Sequence, residues 1–384
     1  MPFSPKPEND FAEFIRVYYR ECRGRFPRIE AIAGKWMFRD LIPGMSDFDT
    51  RFICDDAMTV DDWCAMSAAV GQAHLALCRE FACWMRNLEH LPGINLTWSE
   101  LTAESMYYPE ARQWTFYDTT RPERLHAARQ VMRARPWDAK DEYFFLKKFC
   151  LYYGRYDRQI DPPCNMFPHE AKYPMHSRIA HYFAPPVQSA LCLLERRHIA
   201  GKLEALEQAA RRFSSLACWE VIRELLAADY AVARWYDEPA LSRFEDMLEE
   251  ALRVLAGALR GVITLVPAEA GTDIAAWKHA LAAFPIDPAF AVFDHMRFAR
   301  LMKGRLQFYA DAPASFDSAY LIDNEMRRIG DNFFVQPFRI FWQRYAGETV
   351  EDPTAILDRL GDLLTAEEIA DTRAFAALAF PPWR

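Results

Sequence analysis

From about residue 121 to its end, the sequence places apolar side chains three and four residues apart in one segment after another. Leu241, Phe244, Met247, Leu248, Leu252, Leu255 and Leu259 form the clearest such stripe. At 3.6 residues per turn these positions share one face of a helix, and a face that apolar must be buried against a neighbour. Similar patterns start near residues 139, 185, 214, 270, 288, 318 and 353. Only 14 of the 384 residues are glycine, which is sparse for the tight turns of an all-β sandwich. With 51% hydrophobic and 14% aromatic residues, the chain has material for a large core and is not a disordered one. At about 100–200 residues per domain, its length suggests two domains.

The first third reads differently. Asp10 to about Cys22 has helical spacing, with Phe11, Phe14, Ile15, Tyr18 and Tyr19 on one side. Residues 28–36 look like a short strand, Pro43-Gly44 like a turn, and Asp47 to Cys54 like a second strand with period-two alternation. Thr59 is placed to cap a long helix, with Asp62 three residues on as the acid of a capping box. Residues 94–99 and 113–118 read as two further strands. The order β–turn–β–helix–β puts the acidic strand inside a small sheet. The expected fold is therefore α+β and mostly helical. Residues 1–135 would form a small mixed-sheet domain, and residues 136–384 a large all-α domain.

Net charge is −8 with a pI of about 5.7, which speaks against nucleic acid or an anionic membrane surface as partner. Nine cysteines, an odd number with no C-x-x-C pair, suggest thiols in a reducing cytoplasm. The start lacks the apolar stretch of a signal peptide, and no apolar run approaches the roughly 18 residues of a membrane span.

Chemistry is concentrated in one stretch, Ala33-Gly34-Lys35 followed by Gly44-Met45-Ser46-Asp47-Phe48-Asp49-Thr50. Two aspartates one residue apart on a strand point the same way, and their repulsion is relieved by a cation. Magnesium takes hard oxygen ligands, commonly one or two carboxylates plus substrate phosphates. A pair of metals can clamp both oxygens of an in-line displacement at phosphorus. Gly34, Gly44 and Ser46 are small enough for backbone to approach phosphate closely. The bland alternative is a solvated Asp-x-Asp edge, with Lys35 a solvated lysine.

This pattern resembles the nucleotidyltransferase superfamily typified by DNA polymerase beta. Its motif is a hydrophobic residue, Gly and Gly/Ser, then about ten residues, then Asp-x-Asp/Glu. The resemblance covers about residues 25–120. A small sheet domain followed by a helical substrate-binding domain is similar to the aminoglycoside nucleotidyltransferase branch. It implies that Asp47 and Asp49 hold Mg2+ (or Mn2+), and that Gly34, with Lys35 and Ser46, faces the triphosphate of an NTP such as ATP. Lys35 stands where the family has Ser or Gly. Asn95 aligns best with the third family carboxylate, leaving Glu100 and Asp118 as nearby acids. Glu100 is the catalytic candidate, and a helix-entry acid is its structural alternative.

A second cluster lies in the irregular, aromatic and basic segment 152–186: Arg155, Arg158, His169, Lys172, Tyr173, His176, Arg178 and His181. Lys172 and Arg178 are candidates for the nucleotide's phosphates; a structural linker is the alternative. The histidine spacing completes no familiar zinc set. P-loop, G-x-G-x-x-G and G-x-S-x-G motifs are absent. The expected function is a magnesium-dependent nucleotidyltransferase, moving an NMP from an NTP to a small-molecule hydroxyl, phosphate or phosphonate with release of pyrophosphate. The alternatives are a catalytically degenerate member acting as a nucleotide-binding or regulatory module, and a purely helical scaffold.

Overall fold

A computed structural model describes residues 11–35, 48–81, 88, 91–104, 106–153, 175, 178–227, 238–267 and 274–286, with single positions at Phe290, Asp294, Arg297, Leu301, Gly304, Arg305 and Phe308. Helix dominates, around one small mixed sheet. The chain runs through α1 (Phe11–Arg25), β1 (Ile29–Gly34), β2 (Thr50–Cys54), α2 (Val60–Glu80), β3 (Leu96–Thr97), α3 (Trp98–Thr102), a 3-10 turn (Pro109–Gln113), β4 (Thr115–Thr119) and α4 (Pro122–Ala134). Then come α5 (Ala139–Tyr153), a π-helical turn (Arg178–Phe183), α6 (Ala184–Glu195), α7 (Lys202–Arg212), α8 (Cys218–Ala227), α9 (Glu238–Arg260) and α10 (Ile274–Ala282).

The sheet order is β3-β2-β1-β4, so β2 is an interior strand, as the sequence order implied. β1 is antiparallel to β2 and β4, and β2 is parallel to β3. Every residue of β1 and β2 is buried, and α1 packs aromatic side chains against them. Phe14 and Tyr18 of α1 stack together, and Tyr18 stacks in turn on Phe52 of β2. The Tyr18 hydroxyl is hydrogen-bonded to His74 of α2, so both helices are tied over the same strand.

Local signals act as expected at α2. Thr59 Oγ1 accepts from the Asp62 N–H (3.2 Å) and the Thr59 N–H donates to the Asp62 carboxylate (2.8 Å), a complete capping box. Two expectations need correction. Asp49 precedes β2 instead of lying within it. The strand expected over 94–99 shrinks to Leu96–Thr97, because Thr97 caps α3 and turns the chain into a helix. Residues 318 and 353, where further helices were expected, lie outside the described residues.

Buried side chains of the sheet, α5, α6 and α9 belong to one hydrophobic cluster. The described cysteines form no disulfide, and most are buried, in keeping with their place in apolar patterns. Among the described residues, no helix is long and apolar enough to cross a membrane.

The start of α5 is fixed by a polar cluster. Asp141, fully buried, accepts from the Tyr107 hydroxyl (2.7 Å), from His198 Nε2 (2.9 Å) and from the Asp138 N–H (3.1 Å). Burial pushes Asp141 up, but these donors outweigh it and hold the carboxyl below its usual range. Burial, aided by Arg112 and Lys148, depresses His198, so the imidazole is neutral and donates to Asp141. His198 packs edge-on against Trp137 and Phe145, which leave no room for a hydrated imidazolium. A histidine depressed in the folded state binds its proton first in the unfolded chain, so stability falls as pH drops through the unfolded value of about 6.5. Urea denaturation should therefore show lower stability at about pH 5.5 than at about pH 7. The difference should shrink in His198→Gln; an unchanged pH dependence in that variant contradicts the assignment.

Candidate functional site

At the end of the β1–β2 pair, Gly34 lies opposite Thr50 on one side and Thr115 on the other. The ladder runs one residue further, where the Lys35 N–H donates to the Asp49 carbonyl (3.1 Å). That bond brings the two side chains together: Lys35 Nζ is 3.7 Å from Asp49 Oδ2. Arg51, two residues along β2, reaches Asp49 Oδ1 with Nη1 at 3.6 Å and Glu110 Oε1 with Nη2 at 3.4 Å. Glu110, in the 3-10 turn, also accepts from Trp114 Nε1 (3.3 Å) and pairs through Oε2 with Lys148 of α5 (3.3 Å).

The result is a chain of alternating charge, Lys35–Asp49–Arg51–Glu110–Lys148. Four of the five side chains are only 6–8% exposed, whereas Asp49 is 16% exposed. Asp49 is therefore where the network meets solvent. Its ion pairs, at 3.6 and 3.7 Å, are longer than hydrogen bonds. Burial raises the Glu110 carboxyl, but Lys148, Lys35, Arg51 and the Trp114 N–H outweigh it and hold the group ionised. Burial and the charge of Lys35 lower Lys148 to about 8, with Glu110 acting against them. Each carboxylate thus stands between two cations, Asp49 between Lys35 and Arg51 and Glu110 between Arg51 and Lys148.

Two glycines make this arrangement possible. A Cβ at Gly34 would stand 2.7 Å from Phe48 Cζ and from Tyr117 Cε2, so the space beside it is filled by two rings. A Cβ at Gly93 would collide with the Arg51 guanidinium. The Gly93 N–H donates to the Thr50 carbonyl (3.1 Å), which also accepts from Arg51 Nη1 (2.8 Å). Arg305 in turn holds the Leu91 and Pro92 carbonyls (2.6 and 2.9 Å) and fixes this loop from outside.

The sequence candidates separate clearly. Gly34, Lys35 and Asp49 come together. Asp47, Ser46 and Lys172 lie outside the described residues, as do Gly44, Arg155, Arg158, His169, Tyr173 and His176. Glu100 forms a capping box with Thr97, accepting its N–H at 2.8 Å, and its other oxygen accepts from Arg297 Nε (3.3 Å). It serves as a helix-entry acid. Asn95 Oδ1 accepts from the Phe52 N–H (2.7 Å), extending the edge of the sheet. Asp118 is exposed on β4, opposite Ile32. Arg178 forms a buried ion pair with Glu245 (2.6 Å) that ties the π-helical turn to α9.

Glu110 and Lys148 escaped the sequence reading. Glu110 sits in a short turn with no motif around it. Lys148 did leave a signal: Phe144-Phe145-Leu146-Lys147-Lys148-Phe149-Cys150 sets two lysines in an apolar helix. Both are buried, Lys148 on Glu110 and Lys147 on Asp294.

Among the described residues, no three His, Cys, Asp or Glu side chains gather as a metal site. Of these carboxylates, the partly exposed Asp49 offers hard oxygens, a donor type that suits magnesium. No family model, curated protein or solved structure matches this chain.

The packing at Gly34 makes a direct prediction. Gly34→Ala should lower the unfolding free energy by about 1–3 kcal/mol in urea denaturation, the usual cost of overfilling a packed core. An unchanged midpoint contradicts the close ring packing.

Proposed function

We propose that the chain is a magnesium-dependent nucleotidyltransferase, transferring an NMP from an NTP to a small-molecule hydroxyl, phosphate or phosphonate acceptor and releasing pyrophosphate. The observation that carries this reading is the junction of Gly34-Lys35 with Asp49, with Lys35, Arg51 and Lys148 gathered beside it. A partly exposed carboxylate flanked by the two buried cations Lys35 and Arg51 suits a metal–polyphosphate complex, whose two components need ligands of opposite charge. The interior position of β2 and its antiparallel pairing with the glycine-bearing β1 also support the family resemblance.

In this reading Asp49, with Asp47, would hold Mg2+ or Mn2+. Bound there, the metal would supply charge neutralisation at the phosphates. Lys35, beside Asp49, would place positive charge against the negative charge that spreads over the phosphoryl oxygens during transfer. Glu110 is a positioning residue, since its carboxylate holds Arg51 and Lys148 in place. Helices after α4 would frame the acceptor pocket.

A second reading has one observation in its favour. Asp49 is already neutralised by Lys35 and Arg51, which suits a degenerate member that binds nucleotide without turning it over. Pyrophosphate release, followed with each of the four NTPs over a panel of acceptors, separates the two. Asp49→Asn, and in parallel Asp47→Asn, should lower the rate by about a hundredfold or more while leaving the melting temperature nearly unchanged. Full activity in folded Asp49→Asn removes the proposal, and nucleotide binding with no pyrophosphate from any pair supports the second reading.

A further inference from the structure

We infer that Arg305 is a positioning residue for Asp49, acting through the loop of residues 91–95, which stands in for a strand beside the first half of β2. This rests on the nucleotidyltransferase reading above, in which Asp49 would hold the metal. β3 is only two residues long and pairs with Ile53 and Cys54, so among the described residues no strand faces the start of β2 on that side. The loop supplies the bonds instead. The Gly93 N–H donates to the Thr50 carbonyl (3.1 Å), and the Phe52 N–H donates to Asn95 Oδ1 (2.7 Å). Thr50 and Phe52 flank Arg51, and Thr50 directly follows Asp49. The Thr50 carbonyl also accepts from Arg51 Nη1 (2.8 Å), the nitrogen that stands 3.6 Å from Asp49 Oδ1. The place of Asp49 beside Arg51 therefore follows the place of this loop.

Residues 91–95 belong to no strand, so no ladder holds the loop in shape. Leu91, Pro92 and Gly93 are buried, and the carbonyls of Leu91 and Pro92 converge on one nitrogen, Arg305 Nη2 (2.6 and 2.9 Å). Two successive carbonyl dipoles aimed at one point repel each other unless a cationic donor lies there, and buried carbonyls need donors. Without the guanidinium the loop gains by turning these carbonyls toward water, which carries the Gly93 N–H away from Thr50. Arg305 is itself set by close packing. A Cβ at Gly304 would collide with Ser67 of α2, and a Cβ at Gly71 of α2 would collide with Phe308, so each glycine lets its neighbour come close. Upstream, Asp294 pairs with Lys147 of α5 and Arg297 with Glu100 of α3, which ties the same stretch to both helices.

Single-residue amide hydrogen exchange on the full chain tests this without any turnover. In Arg305→Met, the Gly93 and Phe52 amides should exchange at least about tenfold faster than in wild type, because their bonds depend on the loop. The Asp55 amide, which donates to the Arg28 carbonyl (3.1 Å) just beyond the far end of β2, should stay within about twofold. Unchanged exchange at Gly93 and Phe52 overturns the inference, and so does an equal rise at all three amides, which marks a general loosening. If circular dichroism shows that Arg305→Met is unfolded, Arg305→Lys takes its place. A lysine point charge lacks the fork that serves both carbonyls, so the same local pattern is expected and its absence again overturns the inference. Pyrophosphate release gives the second readout. A misplacement of about 1 Å can cost about a hundredfold in rate, so kcat should fall at least about tenfold in the folded Arg305 variant. KM for the NTP should stay within about threefold, since the loss falls on the transition state. The two levels of inference fail differently. Turnover by wild type, with kcat unchanged in the Arg305 variant, removes only the positioning role. The local exchange pattern, with no turnover by wild type for any NTP and acceptor, removes the nucleotidyltransferase reading and leaves the hold of Arg305 on β2 standing.

Discussion

Keeping the Glu110 carboxylate charged inside the protein is the constraint on which the site depends. It draws a donor from each of three places: Arg51 on β2, Trp114 at the end of its own turn and Lys148 on α5. A buried carboxylate without such partners would lose several kcal/mol of solvation, and removing one partner from a buried pair typically costs about 3–5 kcal/mol. The sheet and α5 therefore hold a fixed relation as long as the charges stay paired. The Tyr107–Asp141–His198 cluster two turns earlier on α5 anchors the same helix by neutral and charged hydrogen bonds. Between them, these two clusters decide where Lys148 stands relative to Gly34 and Asp49.

Features governed by a few adjacent residues were legible in the sequence. The Thr59–Asp62 capping box needs only a spacing of three, and the helical stripes of α1 and α9 need only their own periodicity. The interior place of β2 followed from element order. Local competition explains the strand that was overread. Leu96 and Thr97 begin as strand, but the Thr97–Glu100 capping box supplies donors and acceptors for a helix, and the helix wins.

The candidate site was legible only in half. Gly34, Lys35 and Asp49 were found because one motif joins them. The partners that neutralise Asp49 and complete the network come from residues 51, 110 and 148, whose meeting depends on the packing of β2, the 3-10 turn and α5. No periodicity encodes such an encounter. The sequence also offered Gly34 as room for phosphate, whereas Phe48 and Tyr117 fill the space beside its Cα. Glu100 and Arg178 illustrate the converse: charged residues in suggestive places that serve a helix cap and an interhelical ion pair.

In the proposed function, the partly exposed Asp49 end of the Lys35–Asp49–Arg51–Glu110–Lys148 chain receives a metal-bound nucleoside triphosphate. Isothermal titration of the full chain with magnesium and a non-hydrolysable NTP analogue measures this most directly, repeated for each of the four bases and at rising salt. Saturable one-to-one binding is expected for at least one base. Affinity is also expected to fall as salt screens the long-range attraction between the nucleotide's phosphates and the cationic Lys35 beside the partly exposed Asp49. No binding heat with any of the four nucleotides, in protein shown to be folded, would contradict it.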